Sequence, residues 1–155
     1  MESLTDSELV ALREALDDEY RAWATYDQVV ADFGPVSPFN NIREAEARHI
    51  QALHGLFIRY GLTVPENPWP GRVTRYPGLQ EACRAGVEAE IENAALYERL
   101  LASTEHADIL EVFRNLRDAS QQNHLPAFRR CAERGLRGGG RGSGGWYRRG
   151  RRRGS

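Results

Sequence analysis

Long apolar runs are missing from this chain. None approaches the ~18 residues needed to cross a membrane, so no membrane span is expected. The first ten residues, MESLTDSELV, are acidic where a secretory leader has a basic start and an apolar stretch. No leader is expected, and the predicted location is cytoplasmic. Cysteine is scarce: two in 155 residues do not make a disulfide scaffold, and buried thiols in a reducing compartment are the expectation. Lysine is absent, so all 21 basic residues are arginine. Strand-like alternation is absent too, which leaves an all-helical reading.

Acid is missing after residue 136. The stretch before it holds all 22 acidic residues and 14 arginines, a net charge of −8. The seven arginines beyond give +7. The chain therefore reads as an acidic globular domain, 1–135, followed by a basic extension, 136–155. The extension, LRGGGRGSGGWYRRGRRRGS, is of low complexity, cannot pack, and is expected to be disordered.

The domain is organised as four helices. Thr5 with Glu8 three residues later makes a capping box for the first, whose apolar face runs Leu9, Leu12, Leu16, Trp23, Tyr26, Val30 and Phe33. Gly34-Pro35 ends it. Ser37-Pro38 is expected to cap the second, with Phe39, Ile42, Glu46, His49, Leu53, Leu56 and Tyr60 on one face and Gly61 as the stop. The Pro/Gly-rich LTVPENPWPGRVTRYPG then runs back along the helices and presents Trp69 to them. The third helix spans about Leu79 to Ser103, with Cys83, Val87, Glu90 or Ile91, Ala94, Tyr97 and Leu101 facing inward. The fourth spans about Asp108 to Arg134, with Leu110, Phe113, Arg117, Ser120, His124, Phe128 and Cys131 on one face. Pro126 is expected to bend it. Four helices with one long connection between the second and third describe a ferritin-like four-helix bundle.

Five polar residues interrupt the apolar faces: Glu19, Glu46, His49, Glu90 and His124. An ionised carboxylate costs several kcal/mol to bury unless it is paired or bound to a cation. Facing carboxylates repel, so a proton or a cation must sit among them. Three carboxylates with two imidazoles are a ligand chemistry for iron or manganese. A dimetal carboxylate site in a helix bundle takes one Glu from each of two helices and Glu-x-x-His from each of the others. The second helix has that motif as Glu46-Ala-Arg-His49, and Glu46 is the expected bridge. The fourth has the His, but Gln121 stands three residues before it. Gln121, Ser120 and Asn123 are read as weak ligands or outer partners. Glu92 competes with Glu90 for the place on the third helix. Glu90 and His124 lie equally far from the turn near 105–107, and so do Cys83 and Cys131. Across the first hairpin, Glu19 and Glu46 are out of level by roughly 9 Å, which the loop or a tilt must absorb. His54 and His106 are read as solvated. Tyr20, Tyr26, Tyr60 and Tyr97 are read as core, with one near the metal a candidate redox relay.

The segments LDDEYRAWATYDQVVADFG, NIREAEARHIQALHGLFIRYGL and VFRNLRDASQQNHLPAF resemble the ferritin-like family catalogued as domain of unknown function 2202. The resemblance covers about residues 5–134. Asn115-Leu116 with Asn123, His124, Leu125, Ala127 and Phe128 is its most specific part. The family's serine sits three residues before the histidine, whereas here Ser120 sits four before it. The resemblance implies a ferritin-like fold with a modified fourth-helix ligand set, and no settled activity.

Two functions follow as expectations. One is a metal-binding protein that takes iron, with manganese the alternative, in a mono- or dinuclear site. It would act in iron handling or oxidative-stress defence, and any activity would be of ferroxidase or peroxidase type. The other is a non-catalytic adaptor whose Arg/Gly-rich extension, with Trp146 and Tyr147, makes weak contact with nucleic acid or another acidic partner. A second copy of the chain is a further candidate partner.

Overall fold

A computed structural model describes residues 3–134. The expected domain boundary and the basic extension lie outside the described residues, as do the nucleic-acid contacts assigned to that extension. Every regular element among the described residues is helical. None is long and apolar enough to cross a membrane.

Helix α1 (Asp6–Phe33) starts at the predicted capping box. The Thr5 hydroxyl accepts the Glu8 amide at 3.1 Å, and the Glu8 carboxylate accepts the Thr5 amide at 2.8 Å. Glu8 is also buried against the far end of the molecule, where Thr104 donates to it at 2.6 Å and His106 lies 3.4 Å away. His106 is therefore half-buried, not solvated as expected. So is His54, whose ring meets the Tyr20 hydroxyl at 2.8 Å.

Helix α2 (Phe39–Arg59) corrects one expectation: Pro38 occupies the cap and no side chain, Ser37 included, caps the helix. Its end follows the sequence. Gly61 adopts φ 70°, a left-handed conformation that costs glycine little. The Gly61 amide bonds to Ile58 and the Leu62 amide to Phe57, which closes the helix with the paired bonds of a Schellman motif.

The expected mismatch in level between α1 and α2 is absorbed by the segment 34–38. The Tyr26 and Phe39 rings lie 5.9 Å apart, so α2 begins beside a residue two turns before the end of α1. That is about 10 Å along the axis at 1.5 Å per residue. The offset brings Glu46 and His49 level with Glu19.

Helix α3 (Leu79–Leu100) runs into a short 3₁₀ turn, Leu101–Ser103. Helix α4 (Ala107–Ala119) follows, then a π turn, Ser120–His124, then a helical segment at 125–134. The expected bend is thus a π turn just before Pro126. There the Leu125 amide reaches back five residues to the Ser120 carbonyl. Proline has no amide to donate, and its ring crowds the carbonyl four residues earlier. Widening the preceding turn relieves both. In the first half of α4 the buried positions are Ile109, Phe113 and Leu116, so Leu110 and Arg117 sit at the edge of the predicted face.

Helix α1 packs on α2 and α3, α4 on α2 and α3, and the π turn on α3. Two apolar clusters result. One includes Leu12, Leu16, Leu53, Phe57 and Phe113. The other includes Tyr26, Phe39, Cys83 and Phe128. Along every helix the polar residues fall between them: Glu19 after Leu16, Glu46 and His49 before Leu53, Glu90 after Cys83, and Ser120 and His124 before Phe128. Cys83 and Cys131 are joined in a disulfide with Cα atoms 5.8 Å apart, which corrects the expectation of two thiols. The antiparallel run of α3 and the helical segment at 125–134 places both at one depth, where Cys83 is fully buried.

The connection at 61–78 is pinned to α1. The Tyr20 hydroxyl donates to the Pro65 carbonyl at 2.6 Å, Trp69 Nε1 donates to Asp17 at 2.9 Å, and Arg75 makes two bonds to Asp32 at 2.6 and 3.1 Å. Trp69 packs against the first apolar cluster, as expected.

Candidate metal centre

The band between the two clusters gathers all five sequence-predicted residues. Glu19, Glu46 and His49 form one group whose ligand atoms lie within 4.8 Å of one another. Glu46, Glu90 and His124 form a second on the same criterion. Glu46 belongs to both, and its two oxygens divide between them. Oε1 lies 2.9 Å from His49 Nδ1, and Oε2 lies 3.6 Å from His124 Nδ1. His49 Nδ1 is also 3.5 Å from Glu19 Oε1, and His124 Nδ1 is 3.3 Å from Glu90 Oε1. The imidazoles stack nearly parallel, 5.5 Å apart. Glu92, the alternative on α3, is exposed, while Glu90 is 2% exposed.

Each position has a local cause. Glu46 and His49, three residues apart on α2, share one helix face. After α4, Ser120 and His124, four apart, share one face and are both buried, while the residue added by the π turn leaves Gln121 and Asn123 exposed. This corrects the reading of Gln121 and Asn123 as partners of the site. Ser120 fills the place instead: its hydroxyl donates to Glu90 Oε1 at 2.7 Å and lies 3.0 Å from the Glu90 carbonyl.

Further residues complete the shell. The Tyr26 hydroxyl donates to Glu90 Oε2 at 2.7 Å, and the Tyr97 hydroxyl donates to Glu19 Oε2 at 2.5 Å. The Asn93 amide donates to Asp18 at 2.5 Å and reaches Glu19 Oε2 at 3.4 Å. Both tyrosines were legible as core. A buried phenol also needs a partner, and each lies seven residues from a seam glutamate, which is the signal for its role. Asn93 follows Glu90 at the three-residue spacing that puts it on the same face. Asp18 gave no signal in the sequence.

Burial and the facing charges set the protonation of the cluster. Burial, with repulsion from Glu19 and Glu90, pushes the Glu46 carboxyl well up. Burial would raise Glu19 as well, but the His49 imidazole 3.5 Å away, the neighbouring Glu46 carboxyl and the Tyr97 hydroxyl bring it down to about 2. Burial raises Asp18 to about 6 against the Asn93 hydrogen bond, helped by repulsion from Glu19 and Glu90. Burial beside Glu90 and Glu19 holds Tyr26 and Tyr97 well above the usual phenol range, so both remain donors.

Among the described residues no arginine pairs with Glu19, Glu46 or Glu90; their ion-pair partners are His49 and His124. Glu19 Oε1 is buried and accepts no hydrogen bond. Three buried carboxylates, two imidazole nitrogens turned toward them, and one carboxylate oxygen left without a donor fit a cationic occupant. No family model matches the chain, and no curated protein or solved structure matches it.

Proposed function

We propose that this chain is a ferritin-like metal-binding protein, akin to the family of domain of unknown function 2202. It holds iron, with manganese the alternative, through Glu19, Glu46, His49, Glu90 and His124. The observation that carries the reading is the division of the Glu46 carboxylate between two groups, each completed by one more glutamate and one histidine. A carboxylate with one oxygen directed to each group is the arrangement that two adjacent cations share. Iron bound there would supply electrons to dioxygen or a peroxide, which places the protein in iron handling or oxidative-stress defence.

The chain's own residues prepare the site. Tyr97 and Tyr26 fix Glu19 and Glu90 from behind, leaving the opposite oxygens toward the imidazoles. Ser120 fixes Glu90 from α4. Glu46 keeps its proton until a cation takes its place, so binding releases that proton and strengthens as pH rises. The test is to count metal: the full chain, purified and loaded anaerobically with Fe(II), should carry two irons. A chain that takes up no iron or manganese overturns the reading.

A further inference from the structure

A cavity of about 440 Å³ lies between α1, α3 and the connection at 61–78. A water needs only about 30 Å³, so the space far exceeds what a cation, a water or a peroxide requires. Tyr26 and Glu90 stand in its wall, so it borders the candidate metal centre through a hydrogen-bonded pair. Asn93, also in the wall, reaches Glu19. The lining is mixed, with Val29, Phe39 and Ala82 beside Tyr26 and with charged and polar side chains among them. Trp69 and Tyr76 line it from the connection. The bonds that Trp69 donates to Asp17 and Arg75 donates to Asp32 pin that side to α1 on both sides of Arg72 and Val73, also lining residues. The space is thus held open by built contacts. Carboxylates outnumber arginines around it: Asp18, Glu88, Glu90 and Glu92 against Arg21 and Arg72. Arg21 is already occupied, lying 5.6 Å over the Trp69 ring and 3.8 Å from Asp18.

We propose that this cavity binds a small aromatic molecule without negative charge, held beside the metal centre at the Glu90 side. The volume lies within the range of small-molecule sites, and the four aromatic side chains in the wall, Tyr26, Phe39, Trp69 and Tyr76, offer ring faces and edges to an aromatic ligand. The excess of carboxylates disfavours an anion. The placement beside a metal rests on the function proposed above, whereas the cavity and its lining do not.

Indole is the probe. In the isotope-labelled, metal-free full chain it should shift amide resonances at 69–76 and 82–93 and leave those around Ile58 unmoved. With Mn(II) loaded, the indole proton lines should broaden strongly, and with Zn(II) in its place they should not. Ala85→Trp and Ala22→Trp, which fill the cavity from α3 and α1, should each weaken indole at least tenfold while Mn(II) uptake is retained. Two such variants keep the test decisive if one fails to fold. Shifts that are absent or scattered, or binding unchanged in the filled variants, overturn the cavity site. Indole bound in the cavity without broadening by bound Mn(II) overturns its placement beside the metal. Indole bound in a chain that takes up no metal upholds the cavity site and sinks the metal centre instead. Metal uptake without indole binding sinks the cavity site alone.

Discussion

The two halves of the candidate centre are built on different backbones. Glu46 and His49 project from an unbroken α-helix at a three-residue spacing, and His49 keeps 14% of its side chain exposed. Ser120 and His124 bracket a π turn at a four-residue spacing, and the His124 side chain is 5% exposed. The first half is a motif on regular geometry. The second is a local departure from it, fixed by Pro126 downstream and by Ser120 bonding to Glu90. π turns inside α-helices are often found at functional sites, because the added residue re-aims the side chains around it. A helix can therefore present a histidine to the centre without repeating the sequence spacing of its partner helix.

Glu46 is what the halves have in common, so its removal should have the largest effect. Glu46→Gln keeps the shape and removes the charge. The parent, given Fe(II) or Mn(II) at several hundred times Kd, should gain about 3–4 kcal/mol by linkage, a rise in melting temperature of roughly 6–16 °C. Glu46→Gln should lose that rise and bind less than one metal per chain, while its metal-free form melts no lower than the parent's. A variant that takes up two metals and gains the same rise would remove the shared-carboxylate reading.

The pH dependence of the metal-free chain tests the charges of the two halves. Glu46 and Asp18 have folded-state pKa values raised above their unfolded ones. Their stabilisation is complete below pH ~4 and is lost as pH rises through the folded values. For Asp18 that window runs from 3.8 to about 6, worth at most about 3 kcal/mol. Glu19, lowered to about 2, works the other way: its stabilisation is present above 4.5 and is lost as pH falls through about 2. The metal-free chain should lose stability between pH 4 and 7, and the metal-loaded chain should not, because metal displaces the protons. Denaturant unfolding at fixed pH values, with and without Mn(II), reads both slopes. A metal-free chain that gains stability over that range would contradict the raised values.

The histidines separate the halves. His124→Ala removes a buried ring facing Glu46 and Glu90, and should cost the metal-free chain about 2 kcal/mol through lost packing and polar contacts. His49→Ala, at the more exposed edge, should cost under about 1 kcal/mol because water can replace the ring's bonds. Each variant should retain one metal per chain. Loss of both metals from either variant would show that the groups do not fill independently.

The helices were legible because each boundary has a local chemical mark: the Thr5–Glu8 box, Gly34, Gly61, and the breakers between α2 and α3. The five inward polar residues were legible for a related reason. A charged or imidazole side chain on an apolar stripe breaks a pattern that packing enforces. What escaped depended on structure that sequence spacing does not report. The π turn takes Gln121 off the face it would share with His124 in a regular helix, so the three-residue spacing pointed to Gln121 where only Ser120 stays. The segment 34–38 sets the level of α2 against α1 by folding back, which the helix periods do not encode. Asp18 sits beside Glu19 in a half-buried position that carries no periodic signal. The disulfide depends on how the sulfurs meet across α3 and α4, which equal depth allows but does not require.

The smallest expected effect gives the sharpest test of the difference between the halves. In a regular α-helix the residues three and four before His124 both share its face, so Gln121 would stand beside Ser120 near Glu90. In the π turn Ser120 keeps that face and Gln121 turns away from it. Ser120→Ala removes a hydroxyl that donates to a buried carboxylate, and should cost about 1–2 kcal/mol. Gln121→Ala changes an exposed side chain and should stay within about 0.5 kcal/mol of the parent. The metal readout should follow the same order. Ser120→Ala loosens Glu90 and should weaken the second metal several-fold, while Gln121→Ala leaves both metals in place. Equilibrium unfolding and Mn(II) titration on the two variants decide the matter. If Gln121→Ala costs as much as Ser120→Ala, both residues face the centre, the fourth helix passes it as a regular α-helix, and both halves are built alike.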